Sequence, residues 1–210
     1  MVVIDVLRAF TTAAYAFGRG AHGIYLVAEV DNAFGLRRQL PHCLLTGEVN
    51  GLPIVGFDFP NSPSAIEVAD LSSVHLIQRT TAGTQGAVLA RGADHLFAAS
   101  LCVATATARR IKALDPEVVT FVETGVRERG GGEEDTACAD YIESVLLEEP
   151  CGTGEILSRV RRSKAARKFC EAKNENFPRA DLDCALQIDK FSFAMKVAKS
   201  DDTQVLRSIC

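Results

Sequence analysis

Short apolar runs of four or five residues recur along the chain at Val2–Val6, Gly23–Val27, Cys43–Thr46, Val74–Gln78, His95–Ala98 and Val118–Val122. Runs this short and this continuously apolar predict strands buried on both faces. Between most of them lie alanine-rich stretches with helical spacing: Phe10–Arg19, Val30–Leu40, Gly83–Arg91, Val103–Leu114 and Asp135–Leu147. Strand and helix alternate, which predicts an α/β protein with a largely parallel sheet covered on both faces.

Two segments interrupt the alternation. Gly51–Asp70 is a long turn-rich connection, and long ordered connections are often functional. Val126–Glu134 (VRERGGGEE) is expected to be a flexible glycine-rich loop, a candidate lid, leading into a helix. The character changes again near Cys151-Gly152-Thr153-Gly154, after which Arg159–Lys173 predicts a basic surface helix. Asp181–Val197 is apolar enough to be ordered. Residues 1–210 are expected to form one domain, divisible into sub-lobes of about 1–150 and 151–210.

Ligands of such sheets bind beyond the carboxyl ends of the strands, so the residues there decide the chemistry. Asp5 closes the first strand, with Arg8, Thr11 and Thr12 after it at a helix start. A carboxylate there can bind a metal, attack phosphorus or simply cap the helix. Glu48 lies in T-G-E-x-x-G, where glycines let backbone approach a ligand; it is a candidate Mg2+ ligand or a solvated turn residue. Arg79-Thr80-Thr81-Ala82-Gly83-Thr84-Gln85-Gly86 puts hydroxyls, glycines and an arginine between strand and helix. That composition suits an anion cradle, with Arg79 binding oxyanions and Thr80, Thr81, Gly83 and Thr84 contacting substrate. It is not a Walker loop. Glu133, Glu134 and Asp135 begin a helix, where acidic residues are stabilised by the dipole in any case. Cys138, flanked by alanines, reads as a core thiol rather than a nucleophile.

Composition narrows the classes. Of 210 residues 47% are apolar, enough for a substantial core, and the net charge of -4 suggests neither a nucleic-acid nor a membrane-surface partner. A small anionic substrate would be held by local charges. No run approaches the roughly 20 apolar residues of a membrane span. MVVIDVLRAF carries Asp5 and Arg8 without a basic leader, unlike a signal peptide. The seven cysteines are scattered without a C-x-x-C pair, so reduced thiols and a cytoplasmic location are expected. His22, His42, His75 and His95 form no metal-binding spacing. The VVID strand starts at once, which suggests a further segment upstream.

Taken together, VVIDVLRAFTTAAYAFGRGA (Val2–Ala21), LLTGEVNGLPIVGFDFPNSP (Leu44–Pro63), QRTTAGTQGAV (Gln78–Val88), AASLCVATATA (Ala98–Ala108), GGGEEDTACADYI (Gly130–Ile142) and DLDCALQIDKFSFAMKV (Asp181–Val197) resemble the 2-phosphosulfolactate phosphatase family. The segments follow the family order over nearly the whole chain. The resemblance implies a three-layer α/β/α fold with a mostly parallel or mixed sheet. It also implies Mg2+ dependence and hydrolysis of 2-phospho-3-sulfolactate, or a related phosphorylated 2-hydroxy acid, in coenzyme M biosynthesis. It makes Asp5 and Arg79 candidate catalytic residues, Glu48, Glu134 and Asp135 candidate metal ligands, and Arg8, Asn61 and Ser62 candidate substrate contacts. A homodimer is expected. The chain departs from the family pattern at Pro60-Asn61-Ser62-Pro63, where G-N-S-P is usual, and at Cys138-Ala139-Asp140, where C-A-G is usual.

Two other readings compete. A haloacid-dehalogenase-type phosphatase also ends its first strand in a catalytic aspartate but needs D-x-D, and the second position here is Leu7. A non-catalytic anion-binding domain would keep the cradle, yet has no need of Asp5, Glu48, Glu134 and Asp135 beside its anion.

Overall fold

The structure, a computed structural model, describes residues 1–125, 131–171, 174–200 and 203–210, and of residues 199 and 200 the backbone alone. Its elements run β1 (Val2–Ile4), α1 (Ala9–Gly18), β2 (Gly23–Val27), α2 (Val30–Gln39), β3 (Leu44–Val49), β4 (Leu52–Pro53), β5 (Phe59–Pro60), α3 (Pro63–Glu67), β6 (His75–Arg79) and α4 (Gly83–Leu89). They continue with β7 (Leu96–Ala99), α5 (Ala104–Leu114), β8 (Phe121–Glu123), α6 (Glu133–Leu147), α7 (Thr153–Arg162), α8 (Lys164–Arg167), α9 (Arg179–Ala185), β9 (Ala194–Ser200) and β10 (Thr203–Ile209).

Among the described residues the sheet order is β4-β3-β6-β2-β10-β9-β7-β1-β8, with β5 also paired to β3. β3, β6 and β2 are mutually parallel, and so are β7, β1 and β8. Between these triplets stands the antiparallel β9–β10 pair, with Leu206 opposite Ile24 on one side and Met195 opposite Ala98 on the other. The mixed α/β sheet expected from the sequence is present. The central hairpin was not expected. Lys196, Lys199 and Arg207 break its apolar pattern, so neither strand reads as the continuous apolar run that marks the other buried strands.

Strand alternation sends successive side chains to opposite faces, and these residues use both. Val2 and Ile4 join Phe97 and Ala99 in a core covered by α5, α6 and α7 through Ala108, Ile142 and Ile156. Val3, Ala98, Ile24 and Leu26 face the other way, onto Phe10 and Ala13 of α1, Ile66 of α3 and Ala87 of α4. On the remaining sheet face Val27, Leu45 and Ile77 pack against Ala33 of α2. Helices thus lie on both sides of the sheet, giving the three layers. Every residue from Ala9 to Phe17 is buried, and a helix buried all round needs small side chains for close approach, which accounts for its alanines.

Gly51–Asp70 is more ordered than a turn-rich connection: it holds β4, β5 and α3. Asn50 and Gly51 link β3 to β4 with φ of 54° and 86°, the left-handed pair that a two-residue hairpin turn requires and that Asn-Gly supplies. The basic stretch forms two helices rather than one. They break at Ser163, whose backbone is extended and whose hydroxyl accepts from the Ala166 N–H to cap α8. Residues 172 and 173 of that stretch, and residues 126–130 of the expected glycine-rich lid, lie outside the described residues. Glu133 and Glu134 open α6.

Candidate active site

The carboxyl ends of β1, β3 and β6 meet the start of α6 and the chain around α8 in one cleft of about 540 Å³. Asp5, Glu48, Glu134 and Asp135 line it together with Arg8, Lys164 and Lys168. All four carboxylates are buried, as is Arg8. Their hydrogen bonds come largely from backbone. Asp5 accepts from the Ala9 N–H at 2.9 Å, and Asp135 accepts from the Val6 and Gly125 N–H groups, each at 2.8 Å. Glu48 accepts from the N–H groups of Thr81 and Gly51 and from the Thr81 hydroxyl.

Burial pushes the Asp5 carboxyl up to about 6; the Ala9 N–H pulls it down and the Glu48 charge pushes it up again. Asp135 is held well above the usual carboxylate range, first by burial and then by the charges of Asp5 and Glu134. Glu134 is raised for the same first reason, and its Oε2 is buried without a hydrogen-bond partner. Desolvated carboxylates that repel one another, with one orphaned oxygen, are a donor set suited to a hard cation. Among the described residues no three acidic, histidine or cysteine side chains form a ready cage. Mg2+ commonly uses one or two protein carboxylates and completes its shell with water and phosphate oxygens, so the donors present fit that mode.

The expected site residues divide into two groups. Asp5, Arg8, Glu48, Asn61, Thr81, Glu134 and Asp135 line the cleft, and the side-chain oxygen of Asn61 is a buried acceptor without a partner. Arg79, Thr80, Gly83, Thr84 and Ser62 are absent from its lining. The Arg79 guanidinium donates to the carbonyls of Ala28 at 3.1 Å and Glu48 at 2.8 Å, so it braces β3. Thr80 and Thr84 bond each other, and Gly83 lies where a Cβ would come within 2.8 Å of the Asp5 carboxylate. Ser62 donates to Asp181. The expected anion cradle holds an anion of the protein itself, the Glu48 carboxylate.

Several lining residues were not foreseen: Asn50, Lys164, Lys168 and Phe177. The two lysines had a legible signal, since residues four apart share a helix face. Cys138 is fully buried and burial pushes its thiol far up, so it is packing rather than a nucleophile. All seven cysteines are free thiols.

The family model described as 2-phosphosulpholactate phosphatase matches residues 1–200. The chain belongs to the 2-phosphosulfolactate phosphatase family. A Bacillus subtilis protein named "Probable 2-phosphosulfolactate phosphatase" is 35% identical over 211 residues, covering 99% of this chain and 91% of that protein. Proteins of the same name from Carboxydothermus hydrogenoformans and Deinococcus radiodurans are 38% and 37% identical, covering 71% and 70% of this chain and 61% of each relative. The family is one of phosphoric monoester hydrolases. No helix among the described residues is long and apolar enough to cross a membrane.

Proposed function

We propose that the cleft hydrolyses a small acidic phosphate monoester, 2-phospho-3-sulfolactate or a related phosphorylated 2-hydroxy acid, with Mg2+ bound. One observation carries this reading: a cluster of four buried carboxylates and a group of three cations, Arg8, Lys164 and Lys168, line the same cavity. A simple anion binder gains nothing from the first, and a simple metal store gains nothing from the second. Glu48, Glu134 and Asp135 would hold Mg2+, one or two of them directly and the rest through water, and the ion would supply positive charge to the phosphoryl oxygens. Arg8, Lys164 and Lys168 would bind the phosphate and the second acidic group. Asp5, at the head of α1, would take the proton of the attacking water as the phosphorus–oxygen ester bond breaks, and that proton, returned to the departing oxygen directly or through water, completes the hydroxy acid that leaves.

The test is phosphate release from a panel of phosphorylated 2-hydroxy acids and from an aryl phosphate that has no second acidic group. Activity should vanish with a chelator and return with Mg2+; hydrolysis that survives complete chelation would sink the metal assignment. Lys168→Ala should raise KM about tenfold for esters bearing a second acidic group, the loss of one charge-assisted bond of roughly 1.5 kcal/mol. It should change KM little for the aryl phosphate. Equal effects on both substrate types would place Lys168 at the phosphate instead.

A further inference from the structure

Arg8 is a buried charge that lines the cleft and is anchored in part by residues outside it, Asp181, Asn176 and Phe169. Its Nη1 donates to Asp181 Oδ2 at 2.8 Å and to the Asn176 carbonyl at 2.9 Å, and its Nη2 donates to the Gly51 carbonyl at 3.3 Å. The guanidinium carbon also lies 4.8 Å from the centre of the Phe177 ring and 5.3 Å from that of Phe169. A guanidinium has five N–H donors. Three bonds to these partners leave donors for the cleft that Arg8 lines.

Asp181 is completely buried in α9 and its two oxygens are divided between tasks. Oδ2 takes Arg8; Oδ1 accepts from the hydroxyls of Ser62 and Ser64, each at 2.6 Å, and from the Ser64 N–H at 3.1 Å. Ser62 in turn caps α3 by accepting from the Ala65 N–H. The carboxylate cannot rotate without breaking several bonds at once. A further cavity of about 300 Å³, lined by Ser62, Ser64, Asn176 and Pro178, adjoins Arg8 and shares Arg8, Glu48, Gly51 and Asn61 with the main cleft. Without Asp181 the guanidinium would have this space to turn into.

We propose that Asp181 is a positioning residue that fixes Arg8 in one orientation, so that its remaining donors meet the anionic group of the ligand in the cleft. This rests on the phosphatase reading only in identifying that anion as the ester's phosphate or second acidic group. An arginine orients a bidentate contact only if its plane is held, and packing against the Phe169 and Phe177 rings does not by itself fix where its N–H groups point.

The experiment is a double-mutant cycle on Arg8→Ala and Asp181→Asn, read by calorimetric binding of inorganic phosphate in Mg2+ and by KM and kcat on the best ester. Asp181→Asn should weaken phosphate binding and raise KM about tenfold, the lower end of what removing the outer partner of a metal ligand costs. kcat should fall less. Added to Arg8→Ala, Asp181→Asn should change binding no further, because the group it orients is gone. Ser64→Ala, a milder change outside the cleft, should move KM the same way by a few-fold, keeping the test valid if Asp181→Asn folds poorly. Effects of Arg8→Ala and Asp181→Asn that multiply, or a lowered melting temperature with unchanged phosphate binding and KM, would overturn the proposal. Wild-type protein that binds no phosphate would overturn it as well. Phosphate binding that shows the expected coupling without hydrolysis of any ester would refute the phosphatase reading and leave the positioning role standing.

Discussion

Asp5→Asn should lower kcat/KM by on the order of a thousandfold, the middle of the range a general base contributes, while making the metal-free protein harder to melt at pH 7.5. The two effects share a cause. Asp5 is ordinarily protonated near 3.8, and burial raises it to about 6 in the folded protein. Between those values the folded state holds a proton that the unfolded state has released, so stability falls as pH rises through this window. At pH 7.5 the ionised, desolvated carboxylate therefore destabilises the fold by an amount on the order of 3 kcal/mol. Asparagine removes the charge but keeps the shape, and it gives up part of the gain through a weaker bond from the Ala9 N–H. A rise in melting temperature of about 3–6 °C in chelator is expected at pH 7.5, and little or none at pH 4.5. Mg2+ should then stabilise the wild type more than the variant, because a cation that binds the folded state adds stability by mass action. Melting curves with chelator and with saturating Mg2+ at both pH values read all of this. An Asp5→Asn protein that melts lower than wild type at both would show the carboxylate to be an N-cap of α1 with no part in a charged centre.

Much of this centre was legible from strand ends alone. Asp5, Glu48 and Thr81 follow apolar runs, and sheet physics places ligands there. Glu134 and Asp135 were legible as the head of a helix after a glycine run. What misled was the Arg79 stretch. Its hydroxyls and glycines do hold an anion, but that anion is the Glu48 carboxylate, and sequence composition has no means of telling a protein carboxylate from a substrate phosphate. Arg79 itself turns back to backbone carbonyls because β3 and β6 pair so closely at this point. The Arg8–Asp181 pair was hidden for another reason. It depends on a contact between segments more than 100 residues apart in the chain, which no local pattern records. The β9–β10 hairpin escaped because lysines interrupt it, although the sheet is built around it.

Gly47→Ala should be strongly damaging, and it tests whether the close pairing of β3 and β6 sets the position of Glu48. A Cβ built at Gly47 would stand 2.0 Å from the Arg79 carbonyl oxygen, 2.9 Å from its carbonyl carbon and 3.2 Å from its amide nitrogen. These are backbone atoms of the neighbouring strand, held by the register that pairs Gly47 with Arg79, so no side chain can swing aside. The strands must part instead. Overpacking of this kind costs about 3 kcal/mol, or a fall in melting temperature of roughly 6–12 °C for a protein of this size. The displacement falls on the residue next to Glu48, whose carbonyl takes the Arg79 bond and whose carboxylate is clamped by Thr81 and Gly51. A shift of about 1 Å in a catalytic group can cost a hundredfold in rate, so kcat/KM should fall by about that factor even below the melting transition. Gly92→Ala supplies the control, since a Cβ there meets nothing within 4 Å. It should leave both stability and turnover unchanged. Activity within threefold of wild type in Gly47→Ala, with an unaltered melting temperature, would mean that Glu48 is not held by the β3–β6 contact and that its place in the cleft has another origin.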